Sequence, residues 1–283
     1  MDIRISNDIL KQLSESYRKI RNTARFILGN ISDFDPKKDS VPYSEMEELD
    51  QWALMKLNQL VARIESSYAE YEFHTMIHSI HNFCVVDMSN FYLDVTKDRM
   101  YASKPEDKAR RAGQTAMYII LDTLTRLLAP VLVFTADEIW KYLPHGENDN
   151  AESVMLNDWP AVKPEYDNEE LERKWDRLLE VRDSVLKALE EARNKKLIGQ
   201  SLQAKVILKT SGDLQKFLES NKDILPTIFI ASQVEVKAGS NQGIEVEIAE
   251  AEGVKCERCW IYSDTVGRDH EHPTLCERCA STF

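Results

Sequence analysis

The sequence predicts a mainly α-helical protein. We expect an antiparallel helical bundle over residues 1–144, a linker and long helix over 145–199, a small α+β unit over 200–252 and a cysteine knuckle over 253–283. Apolar residues recur every three or four positions through most of the chain before Gly199, as on one face of a helix. After Gly199 the period falls to two, which is typical of half-buried strands. Four of the five cysteines are confined to the final stretch.

The first predicted helix begins at a Ser6-Asn7 cap and ends at Gly29. Its predicted buried stripe consists of Ile9, Leu10, Leu13, Tyr17, Ile20, Ala24, Ile27 and Leu28. Four polar residues cluster at helical spacing around the remaining surface: Arg18, Arg21, Asn22 and Arg25. This cluster is either an ordinary solvated face or a binding face, and spacing alone leaves both interpretations open.

Capping signals predict where the other bundle helices start and stop. Residues 44–47 and 135–138 each have the spacing of a capping box, Ser/Thr-x-x-Glu. No proline lies between residues 43 and 104, so any break in that tract should be capped by Ser89 or Asn90 or made by a kink. A new helix is expected from residues 104–106. Pro130 should end or kink that helix. The first part therefore indicates a bundle of about five helices.

In the second part, Asn168 should cap a long helix that ends near Lys196. Alternating apolar residues then predict strands around residues 206–208, 234–236 and 244–248, with a helix inserted over 211–220. The segment 239–243, GSNQG, is predicted to be a hairpin loop between the last two strands.

Two C-x2-C hooks, separated by sixteen residues, lie near the end of the chain. Their cysteines are Cys256, Cys259, Cys276 and Cys279. Hooks with this spacing can place four thiolates tetrahedrally around one Zn²⁺ ion, and four cysteines leave no open position for water. We therefore predict one structural zinc; the alternative is a pair of disulfides. The fifth cysteine, Cys84, is expected to be a buried free thiol.

Charge and motifs exclude several classes of function. The net charge of −12 argues against a general nucleic-acid binder, although residues 1–143 carry 18 basic and 21 acidic side chains and residues 144–283 carry 18 and 27. No leader and no apolar run of 18 residues is seen, so we expect a cytoplasmic protein without a membrane partner. No phosphate-binding glycine loop and no nucleophile motif suggests an active site.

Five ordered strings resemble one family, the bacterial isoleucyl-tRNA synthetases, in their C-terminal region. They are YRKIRNTARFILGN (17–30), DQWALMKLNQLV (50–61), the string from Tyr68 to Tyr101, LTRLLAPVLVFTADEIW (124–140) and the terminal knuckle. The resemblance covers essentially the whole chain and implies an anticodon-binding bundle whose partner is the anticodon stem-loop of tRNA(Ile). The HIGH and KMSKS signatures that bind ATP in these ligases are missing. The resemblance therefore implies a fragment without ligase activity of its own. Its partners would be the catalytic and editing domains of the same parent chain.

The resemblance also implies where RNA would bind, by phosphate neutralisation and by stacking of unpaired bases. The candidate contacts are Arg21, Asn22, Arg25, Lys97, Arg99, Arg258 and Trp260. Trp260 either presents a free stacking face or packs against the neighbouring strands. A different class of function stays open beside the first: a non-enzymatic protein-interaction scaffold with a structural zinc knuckle, which the acidic second half would suit.

Overall fold

The computed structural model describes residues 5–239 and 243–283. Contacts group the chain into two compact units, one of Met1–Asp94 with Pro105–Leu171 and one of Val95–Lys104 with Glu172–Phe283. The predicted fold class is confirmed, because the chain is mainly α-helical with a small α+β part and a C-terminal cysteine cluster. The finer division into four domains stays a prediction. Within the described ranges, no helix has the length and apolarity needed to span a bilayer.

Helix α1, Asn7–Asn30, begins where the sequence predicts, because the Ser6 Oγ accepts a hydrogen bond of 3.3 Å from the Ile9 amide. Its buried side chains lie in the C-terminal half: Ile20, Thr23, Ala24 and Ile27. The prediction that its first turns are buried is wrong, since Leu10 is 53% and Leu13 61% exposed. Apolar spacing identifies a helix face but does not show whether anything covers it.

Both predicted capping boxes are wrong. Residues Tyr43–Glu45 form a 3₁₀ turn, and helix α2, Glu48–Ala69, starts after Glu47 without a side-chain cap. Helix α7, Val133–Tyr142, starts two residues before Thr135, whose hydroxyl lies 3.1 Å from the Tyr17 hydroxyl instead of capping the helix. In both places a preceding turn sets the start of the helix, so the capping spacing is coincidental.

Of the two alternatives for a break in this tract, a cap at Ser89 or Asn90 is not what the structure has, because these residues lie inside a helix. The chain breaks at residues 70–72, where Tyr71 adopts a left-handed conformation with φ of 59°. The chain then continues through α3, Phe73–Asn82, a π-helix, Phe83–Tyr92, and the short helices α4, Leu93–Val95, and α5, Lys97–Ala102.

The π-helix is held against α1 through one carbonyl. Ser89 Oγ donates to the Cys84 oxygen at 2.7 Å, and Thr23 Oγ1 of α1 donates to the same oxygen at 3.3 Å. A π-turn widens the helix and is commonly found where a specific contact stabilises it. The Cys84 side chain itself is a buried free thiol, as predicted, and burial raises its pKa to about 12. Such a thiol is chemically inert at neutral pH.

Helix α6, Lys108–Leu128, starts slightly later than predicted, at an Asp107 cap, and it ends immediately before Pro130. Its first turns hold the connection after α1. Arg110 donates two hydrogen bonds, of 2.8 and 3.0 Å, to the Asp33 carboxylate, and Gln114 Nε2 donates a third of 2.7 Å. These donors, Arg110 first, lower the pKa of Asp33 to about 2.

The sheet of the second unit follows helix α8, Glu169–Asn194, whose first turn is capped by Asn168 as predicted. Strand β1, Ala204–Thr210, lies between β2, Gln233–Ala238, and β3, Glu245–Glu250. It pairs in parallel with β2 and antiparallel with β3.

The predicted hairpin between β2 and β3 is therefore wrong, since these strands lie on opposite sides of β1. Residues 240–242 of its loop are outside the described part of the chain. The parallel pair requires a crossover, which α9, Gly212–Ser220, and α10, Leu225–Phe229, provide. A helix at residues 211–220 was expected, and it is confirmed. Alternation of apolar residues predicts the strands but does not determine which of them are neighbours.

Candidate zinc centre and nucleic-acid interface

The two cysteine hooks are shaped by their backbones. Strands β4, Val254–Lys255, and β5, Tyr262–Ser263, pair around the first hook, where the Cys256 amide bonds the Ile261 oxygen at 2.9 Å. Gly253, with φ of 94°, allows this pairing because a Cβ there would lie 2.5 Å from the Ser263 carbonyl carbon. Cys276 caps the short helix α11, Glu277–Ala280, which contains Cys279.

The hooks bring the four Sγ atoms of Cys256, Cys259, Cys276 and Cys279 within 4.8 Å of one another. Cys259 and Cys276 Sγ are 3.8 Å apart, whereas a disulfide requires about 2 Å, and all of these cysteines are free. Zinc–sulfur bonds of about 2.3 Å in a tetrahedron place sulfurs about 3.8 Å apart. The arrangement therefore fits a zinc ion and not the disulfide alternative.

The electrostatics of the cluster also fit a cation. Burial acts to raise the pKa of Cys256, but backbone amides, led by that of Cys259, outweigh it and lower the value to about 6. Burial, together with the adjacent Cys259, raises the pKa of Cys279. Four thiolates at these distances repel one another, so all four thiols can be deprotonated together only when a positive charge compensates them. A Zn²⁺ ion supplies that charge.

The knuckle has almost no other core. Among the described residues, the partly buried apolar side chains that pack against the buried cysteines are Cys259, Val266 and Leu275. So small a cluster cannot hold two hooks and a short helix together by apolar burial, so a metal is needed to fold it. All four sulfurs are occupied as ligands in such a site, which leaves no coordination position for a reacting water.

Trp260 lies in the first hook and is half-exposed. Its backbone is left-handed, with φ of 65°, and its amide donates a hydrogen bond to the Cys256 oxygen at 2.9 Å. The side chain is 53% exposed, and Lys255 Nζ lies 5.1 Å from the ring centre. The indole thus has an accessible face next to a cation, which is the geometry of a stacking platform for a base.

The other three candidates of the second unit are partly engaged within the protein. Arg258 bonds the Thr282 hydroxyl, and its guanidinium lies 4.8 Å from the centre of the Phe283 ring. Lys97 is exposed and Arg99 half-buried, both on α5. Arg258 therefore connects the first hook to the C-terminal residues Thr282 and Phe283.

The basic face of α1 lies in the first unit. Arg21, Asn22 and Arg25 are exposed, opposite the buried Ile20 and Ala24. Within residues 5–239 and 243–283, neither Arg21 nor Arg25 forms an ion pair. The structure thus brings three of the predicted contacts together on one unit and the other four on the second.

A cavity of about 590 Å³ opens beside Arg25. It is lined by Arg25, Leu28, Gly29, Ile31, Ser32, Phe34, Tyr142, Leu143 and Pro144. Tyr142, at the end of α7, is 69% exposed and offers an aromatic face at this opening. Sequence reasoning missed it, because no spacing signal distinguishes an exposed tyrosine at a helix end from one that packs inward.

Comparison with known proteins agrees with this architecture. Residues 50–208 match the family described as the anticodon-binding domain of tRNA ligase, and residues 253–282 match the zinc finger found in FPG and IleRS. The chain belongs to the anticodon-binding domain family of tRNA ligases, and it carries a structural zinc site at the matched finger.

The similar curated proteins are isoleucine--tRNA ligases. The chain is 50% identical over 99% of its length to that of Caldanaerobacter subterraneus subsp. tengcongensis, 51% over 98% to that of Caldicellulosiruptor saccharolyticus and 50% over 99% to that of Moorella thermoacetica. It spans about 30% of the length of these relatives. The resemblance expected from the sequence is confirmed, and the chain matches one part of these longer relatives.

Proposed function

We propose that this chain recognises the anticodon stem-loop of tRNA(Ile) as the anticodon module of an isoleucine--tRNA ligase. The observation that carries the proposal is the exposed pair Arg21 and Arg25, which has no ion-pair partner among the described residues. Arg25 also lines a cavity of about 590 Å³. The match of residues 50–208 to anticodon-binding domains supports the same assignment.

The α1 face supplies the contacts to the backbone of the RNA. Guanidinium groups at Arg21 and Arg25 neutralise phosphates, and the Asn22 amide donates to a phosphate or a base edge. The overall charge of −12 does not oppose this binding, because surface charges are screened beyond roughly 8 Å at physiological salt. Local cations therefore decide whether a phosphate is attracted.

Unpaired loop bases are held by aromatic faces. In the first unit, the cavity beside Arg25 accepts one base against Tyr142. In the second unit, the half-exposed indole of Trp260 is a separate stacking face for an unpaired base. Lys97, Arg99 and Arg258 provide cations for the RNA phosphates that the second unit contacts. Zinc, held by the four cysteines, supplies folding of the knuckle and takes no part in a reaction.

We further propose that the chain by itself catalyses neither amino-acid activation nor tRNA charging. Its described clefts contain no cluster of nucleophile and base, and these reactions belong to the catalytic and editing domains of the parent ligase. Such a ligase works in the cytoplasm, which is consistent with four free thiols in the knuckle. Isoleucine-dependent pyrophosphate exchange by the purified chain would contradict this part of the proposal.

The binding proposal is tested by titrating fluorescently labelled transcripts of tRNA(Ile) and tRNA(Val) with the zinc-loaded chain. We expect tighter binding of tRNA(Ile), lost when its anticodon loop is replaced by that of tRNA(Val). Equal, salt-sensitive binding of both transcripts would contradict anticodon recognition. No binding of either at micromolar protein would instead favour the interaction-scaffold function.

A further inference from the structure

Arg278 connects the zinc centre to a helix far away in the sequence. It lies between the cysteines of the second hook, on α11. Its guanidinium bonds both carboxylate oxygens of Asp98, with 2.8 Å between Nη2 and Oδ1. The same guanidinium also interacts electrostatically with the side chain of Cys259. One planar group therefore joins a sulfur of the metal site to a carboxylate on α5, 180 residues earlier in the chain.

The segment that Arg278 holds is not stable by itself. Helix α5 has six residues, far fewer than an isolated helix requires, and Ser103 follows it in extended conformation. Residues 95–104 nevertheless group with the knuckle-containing unit and not with the bundle residues on either side. Val95, Met100 and Ala102 are buried, so packing holds one face of the segment, and Asp98 is its described ionic anchor to the knuckle.

Metal occupancy is what fixes the guanidinium. A zinc ion with four thiolate ligands carries excess negative charge, and hydrogen bonds from neighbouring donors to the sulfurs stabilise it. Without the metal, the hooks lose their geometry and Arg278 loses its position opposite Asp98. We infer that Arg278 is a positioning residue through which zinc binding fixes the segment 95–104, including Lys97 and Arg99.

The ion pair between Arg278 and Asp98 should contribute little to the global free energy of unfolding, so a local measurement is needed. The side chains of Arg278 and Asp98 are 53% and 37% exposed, so solvent screens the pair and global stability should change little. Local opening of the segment is the sensitive quantity, because exchange of its amides reports opening free energies well below the global value. Hydrogen exchange with peptide-level resolution measures it directly.

The experiment compares the full chain, zinc-loaded and chelated, with Asp98→Asn, Arg278→Ala and the control Arg268→Ala. Arg268 is also an exposed knuckle arginine, but it pairs with Asp264 and Glu277 inside the knuckle. We expect exchange of residues 95–104 to accelerate about tenfold on chelation and in both linked variants, while α8 is unchanged. Arg268→Ala should exchange like the unmodified chain.

Zinc affinity gives the second readout, by competition with a chromophoric chelator. Arg278→Ala should lose about 10- to 100-fold in affinity, since a positive charge beside a ligand sulfur is removed. Asp98→Asn does not change the surroundings of the sulfurs, so this variant should bind zinc fully. Its segment 95–104 should still open more often than in the unmodified chain. The variant therefore distinguishes loss of the Arg278–Asp98 contact from unfolding of the knuckle. Unchanged exchange of 95–104 in zinc-loaded Asp98→Asn, or in the chelated chain, overturns the inference.

Discussion

The arginines of the first unit are of two kinds. Arg110 bonds Asp33, and Arg126 bonds Asp122 and Asp149, so both connect parts of the fold. Arg21 and Arg25 have no such partner in the part of the chain that the structure describes. A cation without an ion-pair partner in its own protein is available to a ligand, and its removal should change binding with little change in stability.

Substitution of Arg21 or Arg25 by Ala should therefore weaken tRNA binding and leave the melting temperature nearly unchanged. Each lost phosphate contact should reduce the slope of log affinity against log salt by something under one unit. The matched control is Lys11→Ala, which removes the same charge from an exposed position on the same helix. An equal loss of affinity in Lys11→Ala would mean that net charge, not a phosphate contact, is responsible.

Trp260→Ala and Tyr142→Ala should behave differently. A lost stacking contact costs about 1 to 3 kcal/mol of binding free energy and leaves the salt slope almost unchanged, because no counterion is involved. Equilibrium titrations at two or more salt concentrations measure both quantities. Phe134→Ala is the control, since this ring is 92% exposed but does not line the cavity. If Phe134→Ala weakens binding as much as Tyr142→Ala, the cavity is not the base site.

At the residue scale, sequence reasoning found the metal site better than the RNA site. Cysteine spacing constrains geometry directly, since each hook must turn within two residues to present both sulfurs. Exposure carries no comparable signal. The composition of the α1 face agrees with binding, but only the structure shows that Arg258 is partly engaged with Thr282 and that Tyr142 borders a cavity.

At the scale of elements, periodicity located the helices well and their ends less well. Asn168 and Ser6 cap helices as predicted, because each side chain meets free amides in the first turn. Ser44 has the same local pattern, but the 3₁₀ turn at residues 43–45 places it outside the helix. Capping motifs describe a local preference, and a neighbouring turn with its own hydrogen bonds can override it.

The π-helix was beyond prediction for a related reason. Residues 83–92 have an apolar pattern that suits an ordinary helix, and the wider turn depends on Thr23 and Ser89 hydroxyls meeting at the Cys84 oxygen. Thr23 is more than 60 residues away in sequence. A contact at that separation leaves no mark on local spacing, just as strand alternation left the order β2-β1-β3 undetermined.

Asp33, in the segment after α1, is bonded by Arg110 of α6, and this contact should make the stability of the protein depend on pH. Its hydrogen bonds, that of Arg110 first, lower the folded pKa of Asp33 from 3.8 to about 2. A depressed carboxyl pKa adds stability that is present above the unfolded pKa and is lost as the pH falls through the folded pKa. Since the Asp33 side chain is 42% exposed, screening reduces this contribution to about 1 kcal/mol at neutral pH.

Asp33→Asn should therefore lower the free energy of unfolding by about 1 kcal/mol at pH 7, measured by urea titration. The difference from the unmodified chain should shrink between about pH 4 and pH 2, where Asp33 takes up its proton. The control is Glu65→Gln, which removes an exposed carboxylate on α2 and should leave the free energy of unfolding nearly unchanged at pH 7. A difference that persists unchanged at low pH would mean that the substitution acts through packing alone.

At the scale of the whole molecule, the excess of acidic over basic side chains should limit where RNA can bind outside the basic face of α1. With 48 acidic against 36 basic side chains, the net charge opposes association with a polyanion, so we expect non-specific binding to RNA to be weak. Attraction is limited to places where cations are unpaired, such as the α1 face. A protein of this charge should discriminate between RNAs by placement of the anticodon loop more than by total charge.

The knuckle should fold and unfold as a separate part of the molecule, because its own core is little more than the four cysteines with Val266 and Leu275. Elemental analysis should find close to one zinc per chain. Chelation removes the zinc, and Cys276→Ser removes one of its four ligands. Zinc binding contributes about 10 to 16 kcal/mol in comparable fingers, so the knuckle should lose its order in both cases.

Most of the helical signal should survive, because α1, α2, α6 and α8 bury their own apolar faces. Far-ultraviolet circular dichroism would then change by no more than the small share that α11 contributes, while near-ultraviolet signals from Trp260 change strongly. Cys84→Ser is the control, since this thiol is remote from the metal cluster in sequence and forms no part of it. Concerted loss of the whole helical signal on zinc removal would contradict an independent knuckle and would mean that the metal stabilises the entire chain.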